Sequence, residues 1–253
     1  MAIHAVPAFK DNYIWILEDG GNAVAVDPGD ARPVQEFLQG RGLTLTAVLA
    51  THHHADHVGG LPELVRRWSC PTFGPALEVA AGIDRRLTEG DRFAVPGLPL
   101  ELGALDIPGH TSGHIALFGA DVLFCGDTLF AVGCGRLFEG TPAQMAMSLA
   151  KLARLPGKTR VFCGHEYTVA NIAFAQAVEP GNKRLAERAT REAAKRSNGK
   201  PTLPSTIEDE LATNPFLRCE EPEVVASAER RAGRTLANPI EVFAELREWK
   251  NNF

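Results

Sequence analysis

The segment from Thr51 to His57 reads Thr-His-His-His-Ala-Asp-His, so that His52, His54, Asp56 and His57 fall within six residues. Neutral imidazoles with a carboxylate form a borderline ligand set that suits zinc and also accepts iron or manganese. The segment follows an apolar run that ends at Ala50. Side chains two apart share a face of an extended chain, so His52 and His54 can turn to one side while His53 points away. Asp56 and His57, on the turn into the next helix, can reach a neighbouring point. This is more than one tetrahedral ion needs, and four adjacent ligating groups are hard to explain by packing. His110, Asp127 and His165 extend the set. Each lies just past a strand candidate with a glycine beside it, where a loop can hold a ligand over a sheet edge. Seven ligands support two metals about 3.5–4 Å apart if one carboxylate bridges, and Asp127 is the expected bridge. His4, His53 and His114 are assigned structural or surface roles, His114 as a core residue or a partner behind a ligand.

The elements that must position these residues are read from periodicity. Tyr13–Leu17 and Ala23–Val26 flank Gly20-Gly21 as a hairpin. Thr46–Thr51 suits a buried strand, and Leu98–Ile107, Ile115–Phe118, Val122–Cys125 and Arg160–Cys163 are further strands. Helices are expected at Val34–Leu43, Leu61–Trp68 and Ala143–Leu155. Interleaved strands and helices imply an α/β or α+β class, with sheets covered by helices. After His165 the chain turns helical, with Val169–Val178 and Asn182–Ser197 rich in good helix formers and Gly199 as a stop. Asn238-Pro-Ile-Glu241 is a helix start with a cap residue, a Pro at the first position and an acid at the third. The last helix is expected to run to about Trp249 with Ile240, Phe243 and Leu246 buried. The boundary falls near residue 166, giving domains 1–165 and 166–253.

The 253 residues can bury a sizeable core, and 45% hydrophobic with 23% charged residues is ordinary for a soluble globular chain. A net charge of -5 gives no reason to expect nucleic acid or an anionic membrane as a general partner. The first residues lack the basic and apolar regions of a signal peptide, and no apolar run approaches the ~20 residues of a membrane span. Five cysteines, an odd number without a C-x-x-C pair, read as reduced thiols in a cytoplasm. A monomer is expected. No Ser or Cys nucleophile is required, so Cys125, Cys134 and Cys163 are assigned to packing.

His-x-His-x-Asp-His followed by spaced His, Asp and His resembles the metallo-β-lactamase superfamily. That resemblance covers residues 1 to about 165 and implies a four-layer αββα sandwich with metals at one edge of the two sheets. The superfamily hosts lactamases, nucleases, lactonases, dioxygenases and thioesterases, so the fold alone leaves the activity open. Cys134-Gly-Arg-Leu-Phe-Glu-Gly-Thr141, Gly164-His-Glu-Tyr-Thr168, Pro204-Ser-Thr-Ile-Glu-Asp-Glu, Thr213-Asn-Pro-Phe-Leu-Arg218 and Arg247-Glu-Trp-Lys250 are similar to the glyoxalase II, or hydroxyacylglutathione hydrolase, family over the whole chain. By this resemblance His52, His54 and His110 hold one metal, Asp56, His57 and His165 the other, and Asp127 both. It also implies glutathione binding by Arg136, Tyr167, Arg247 and Lys250. The implied reaction takes S-D-lactoylglutathione to D-lactate and glutathione, the second step of methylglyoxal detoxification, with a metal-bridged hydroxide as nucleophile and Asp56 and Asp127 in catalytic roles.

Glutathione is a net anion and needs cationic anchors, which Arg247 and Lys250 can supply from one face of the last helix. Cations are favoured at a helix C-terminus in any case, so the pair also fits a solvated helix end. One departure stands out: family members commonly carry Lys and Tyr where this chain has Arg136 and Phe138. The alternative within the fold is a glutathione persulfide dioxygenase with a single iron, which would not need the complete second ligand set. A silent glutathione- or metal-binding protein and a β-lactamase or lactonase are the other readings, and neither explains all these features.

Overall fold

The computed structural model describes residues 1–78, 80 and 82–253. The chain forms two compact units. Unit one comprises Met1–Asp106, Thr111–Gly126 and Phe162–Glu166. Its first sheet runs in the order β1 (Ala2–Ala8), β2 (Asn12–Asp19), β3 (Asn22–Val26), β4 (Thr44–Leu49), β5 (Thr72–Pro75) and β6 (Arg85–Leu87). The first three strands are antiparallel and the last pairings parallel. Asp19 faces Asn22 across Gly20 and Gly21, both at positive φ, so the expected hairpin is present. The parallel step from β3 to β4 requires a crossover, supplied by α1 (Ala31–Arg41). Asp30 caps its start and Gly42, in the left-handed region, ends it. The short α2 (Ala55–Val58) and α3 (Leu61–Trp68) lead from β4 to β5.

The second sheet of this unit places β7 (Arg92–Ala94), β8 (Glu101–Asp106), β9 (Ile115–Gly119), β10 (Val122–Gly126) and β13 (Arg160–Cys163) side by side. Alternation along β2 explains how the layers stack. Ile14 and Ile16 join Val34, Leu38, Leu61 and Leu64 of α1 and α3 in one buried cluster. Trp15 points to the opposite face, where its ring meets Phe162 edge-on at 4.9 Å, and Phe162 stacks on Phe124 at 5.2 Å. The order helix, sheet, sheet is thus written into the two-residue period of one strand.

Unit two comprises Ile107–His110, Asp127–Val161 and Tyr167–Phe253. It holds the small hairpin β11 (Leu129–Phe130) and β12 (Gly133–Cys134) and the helices α4 (Pro142–Ala153), α5 (Thr168–Val178) and α6 (Lys183–Ser197). β14 (Ser205–Thr206), which pairs with Arg160 and Val161, precedes α7 (Ile207–Thr213), α8 (Pro222–Ala232) and α9 (Pro239–Asn251). Thr141 and Gln144 form a reciprocal capping box on α4. Buried Phe174 and Phe216 stack with centroids 5.9 Å apart, and Phe243 meets Phe216 edge-on at 5.7 Å.

Several elements differ from the sequence reading. The strand expected from Leu98 begins only at Glu101, because Gly97 at φ 78 turns the chain just before it. α9 is capped by Asn238 as expected but continues to Asn251. Ile240 is 41% exposed rather than buried, and Val242 takes the inward position. β1 and α8 were not anticipated. The signals for α8 were present in Pro222 at its first turn and Gly233 at its end.

Candidate active site

In unit one the ligand loop is fixed before it begins. Buried Asp27 accepts hydrogen bonds from Thr51 N at 2.7 Å and Thr51 Oγ1 at 2.8 Å. Gly29 makes the close approach possible, since a Cβ there would lie 1.9 Å from the Asp56 carbonyl oxygen. Asp56 and His57 then sit in the first turn of α2. Asp56 Oδ2 is 3.5 Å from His57 Nε2 and 3.5 Å from His165 Nε2, and the two nitrogens are 3.4 Å apart. Three donors at about 2.1 Å from a tetrahedral ion stand roughly 3.4 Å from one another, so this triangle has the dimensions of a metal site. His57 and His165 are buried, so their imidazoles converge away from bulk water.

The neighbouring histidines take distinct places. His52 is fully buried, stacked on the His114 ring at 4.5 Å and 4.8 Å from the His54 ring. His52 Nδ1 lies 3.1 Å from Thr51 Oγ1, which directs Nε2 to the other side of the ring. His53 turns aside to Glu78, Nδ1 to Oε2 at 2.9 Å. His114, fully buried, backs a predicted ligand, and His4 pairs with Glu18 at 2.8 Å.

Unit two carries the remaining predicted ligands. His110 Nε2 is 3.6 Å from Asp127 Oδ2, and His110 Nδ1 lies 2.9 Å from the Arg136 carbonyl oxygen. Asp127 owes its place to Gly135, where a Cβ would come within 1.9 Å of the Asp127 carbonyl. Both side chains line a cavity of about 540 Å³ together with Arg136, Tyr167, Arg247 and Lys250. All four residues expected to bind the substrate therefore open onto one space.

Arg247 is only 5% exposed, so it is not a solvated helix end. Its Nη1 donates to the Cys134 carbonyl at 2.8 Å, its Nε to Asn251 Oδ1 at 3.1 Å, and its guanidinium lies 5.2 Å from the Phe216 ring centroid. Lys250 Nζ donates to the Ala170 carbonyl at 3.2 Å and lies 5.3 and 5.5 Å from the Phe174 and Phe253 ring centroids. Burial, with the positive charges of Arg247 and Arg136, holds the Lys250 pKa below the ordinary lysine value. Tyr167 stands edge-on to Phe130 at 5.2 Å. Phe138 is 64% exposed and lies 5.3 Å from the His110 ring. Asn171, Asn251 and Phe253 also line the cavity and were missed. Spacing could have found one of them, since Asn251 lies four residues beyond Arg247 and shares its face of α9. All five cysteines are buried, and none forms a disulfide among the described residues.

Two stacked sheets with imidazole and carboxylate donors at strand ends define a divalent-metal protein of the metallo-β-lactamase superfamily, whose family model matches residues 9–165. Residues 166–253 match the model of the hydroxyacylglutathione hydrolase C-terminus. Hydroxyacylglutathione hydrolase of Nitrosomonas europaea is 52% identical over 251 residues, covering 99% of this chain and 96% of that protein. That of Alkalilimnicola ehrlichii is 56% identical over 251 residues, 98% of each. The chain belongs to the hydroxyacylglutathione hydrolase family. Among solved structures, TTHA1623 in a di-iron-bound form is 28% identical with a TM-score of 0.54, over 65% of this chain and 92% of that one. Among the described residues no helix is long and apolar enough to cross a membrane.

Proposed function

We propose that the protein hydrolyses the thioester of S-(2-hydroxyacyl)glutathione, chiefly S-D-lactoylglutathione to D-lactate and glutathione, the second step of methylglyoxal detoxification. The observation that carries this reading is the shared cavity of His110, Asp127, Arg136, Tyr167, Arg247 and Lys250. Three cations and an aromatic hydroxyl beside two metal-type donors suit an anionic tripeptide whose acyl end must reach a hydrolytic centre.

Two divalent ions would be held, one by His52, His54 and His110, the other by Asp56, His57 and His165, with Asp127 shared. When bound, they supply the positive charge that acidifies a water and polarises the thioester carbonyl. Zinc suits the donors, and the di-iron form of TTHA1623 supports iron as well. Arg247 and Lys250 hold the glutathione carboxylates, and Arg136 adds a planar fork that can grip a carboxylate through two bonds. Asp56 orients the proton of the attacking water, its Oδ2 fixed by Asn12 Nδ2 at 2.9 Å. The leaving group departs as glutathione thiolate, so no protein nucleophile is needed. We assign residues 1–165 to catalysis and 166–253, joined by Arg136, to glutathione binding, in a monomer of the cytoplasm, where reduced thiols and glutathione coexist.

The test is hydrolysis of S-D-lactoylglutathione by metal-analysed protein, followed as loss of thioester absorbance. Turnover that requires two metals per chain is expected. Two bound metals without turnover would sink the substrate assignment, and oxygen uptake with glutathione persulfide would put a dioxygenase in its place.

A further inference from the structure

The triad Asp56, His57 and His165 is held from outside by the turn between β1 and β2. Asp11 Oδ1 lies 2.8 Å from His165 Nδ1. The next residue, Asn12, donates through Nδ2 to Asp56 Oδ2 at 2.9 Å and reaches the Asp56 carbonyl at 3.4 Å. The backbone locks this turn to the chain on both sides of His165: Glu166 N donates to the Asp11 carbonyl at 2.9 Å, and Tyr13 N to the Gly164 carbonyl at 2.8 Å. Tyr13 adds its hydroxyl to Glu166 Oε2 at 3.0 Å. One turn therefore grips two of the three donors through adjacent side chains.

The chemistry of the two contacts is matched to cation binding. A carboxylate at Nδ1 keeps the imidazole proton on that nitrogen, so Nε2 presents its lone pair inward. It also stops rotation of the ring. The Asn12 amide donates, so it fixes the Asp56 carboxylate and occupies one lone pair of Oδ2, leaving the others for a cation. Asn12 is buried, and its amide has this carboxylate to satisfy it.

We propose that Asp11 and Asn12 are positioning residues that set the affinity of the Asp56–His57–His165 site for its metal ion. This rests on the assignment of that triad to one of the two metals. The effect should be selective, because the two side chains grip Asp56 and His165, whereas His52, His54 and His110 belong to the other assigned set.

The experiment measures metal content and chelator competition in the purified holoprotein for Asp11→Ala, Asp11→Asn, Asn12→Ala and His165→Ala, with zinc as the probe. Loss of an outer hydrogen-bond partner costs about 10–100-fold in metal affinity, and Asp11→Ala and Asn12→Ala should show this for one of the two ions only. Asp11→Asn keeps an acceptor for Nδ1–H and should fall between wild type and Asp11→Ala. The metal-free proteins should melt as the metal-free wild type does, and the downfield Nδ1 proton of His165 should disappear from the NMR spectrum of Asp11→Ala. Wild-type affinity for both ions in Asp11→Ala and Asn12→Ala, beside loss of one ion in His165→Ala, would overturn the proposal and leave the ligand assignment standing. Two ions retained in His165→Ala would instead overturn the assignment. Equal loss of stability in the metal-free variants would make the turn a general structural element and also refute the proposal.

Discussion

Replacing Arg247 by alanine should raise the KM for S-D-lactoylglutathione by about 10- to 150-fold while kcat changes little. The magnitude follows from what the guanidinium already does. Nη1 is engaged by the Cys134 carbonyl and Nε by Asn251, so Nη2 remains as the arm for a ligand carboxylate. A hydrogen bond to a charged group contributes about 1.5–3 kcal/mol, and about 1.4 kcal/mol is tenfold in binding, which gives that range. The contact lies remote from the thioester and should be equal in ground and transition states, so KM carries the loss. Arg247→Lys keeps the charge without the fork and should fall between the two. The assay is steady-state hydrolysis of the thioester, with melting curves run beside it. Losing the internal ties to Cys134 and Asn251 should cost about 1–2 kcal/mol in total, or roughly 2–8 °C in a chain of this size. A fall in kcat at constant KM would refute the reasoning, and so would alanine and lysine variants that behave alike.

Three further outcomes are expected. Lys250 binds a carboxylate only when protonated, and its pKa is lowered by burial and by the charges of Arg247 and Arg136. Binding is therefore present below that pKa and lost as pH rises through it. The alkaline rise in KM should begin below the range of an ordinary lysine and move upward in Lys250→Arg; a profile unchanged by that substitution would disprove the role. Arg188 and Glu210 form a buried ion pair, with Nη2 at 2.6 Å from Oε1. Arg188→Met should destabilise by about 3–5 kcal/mol in urea unfolding, and Arg188→Met/Glu210→Gln should recover part of it; equal instability of the two would show that the stranded charge is not the cause. Burial raises the pKa of Cys134, against the opposing charge of Arg247, and pushes that of Cys219 up to about 12. Iodoacetamide at neutral pH should leave activity intact over hours, whereas inactivation in step with Cys134 labelling would implicate that thiol in binding or chemistry.

The sequence carried local information well and long-range information poorly, for physical reasons. Arg160–Cys163 and Leu61–Trp68 were legible to the residue, because a short apolar run and a helical period each declare themselves over a few positions. β1 was missed, since Ala2–Ala8 is only partly buried and its place as an edge strand depends on Ile14, Ile16 and the rest of β2. Ile240 read as core because the period fits, yet its outward position is set by packing that the helix alone does not encode. The ligand cluster at His52–His57 was legible because four donors occur in one segment. Asp11 and Asn12 were not, because an Asp-Asn pair in a turn is ordinary until His165 and Asp56, far along the chain, are brought to it.

The same distinction explains the character of the cation site. By spacing alone Arg247 and Lys250 are two charges on one face near a helix end, where water would normally surround them; the resemblance adds their role as glutathione anchors. In the folded chain each is anchored by a backbone carbonyl from a distant segment, Cys134 for one and Ala170 for the other, and each lies against aromatic rings. Anchoring removes most of the rotamer entropy that a surface arginine or lysine would lose on binding a carboxylate. Burial also removes competing water, at the cost of a lowered Lys250 pKa. Three cations around one cavity repel one another and outnumber the acidic Asp127 that also lines it, so the site is electrostatically incomplete until an anion enters. That unrelieved charge, and not cavity size, is what should select a carboxylate-bearing thioester over a neutral one of the same shape.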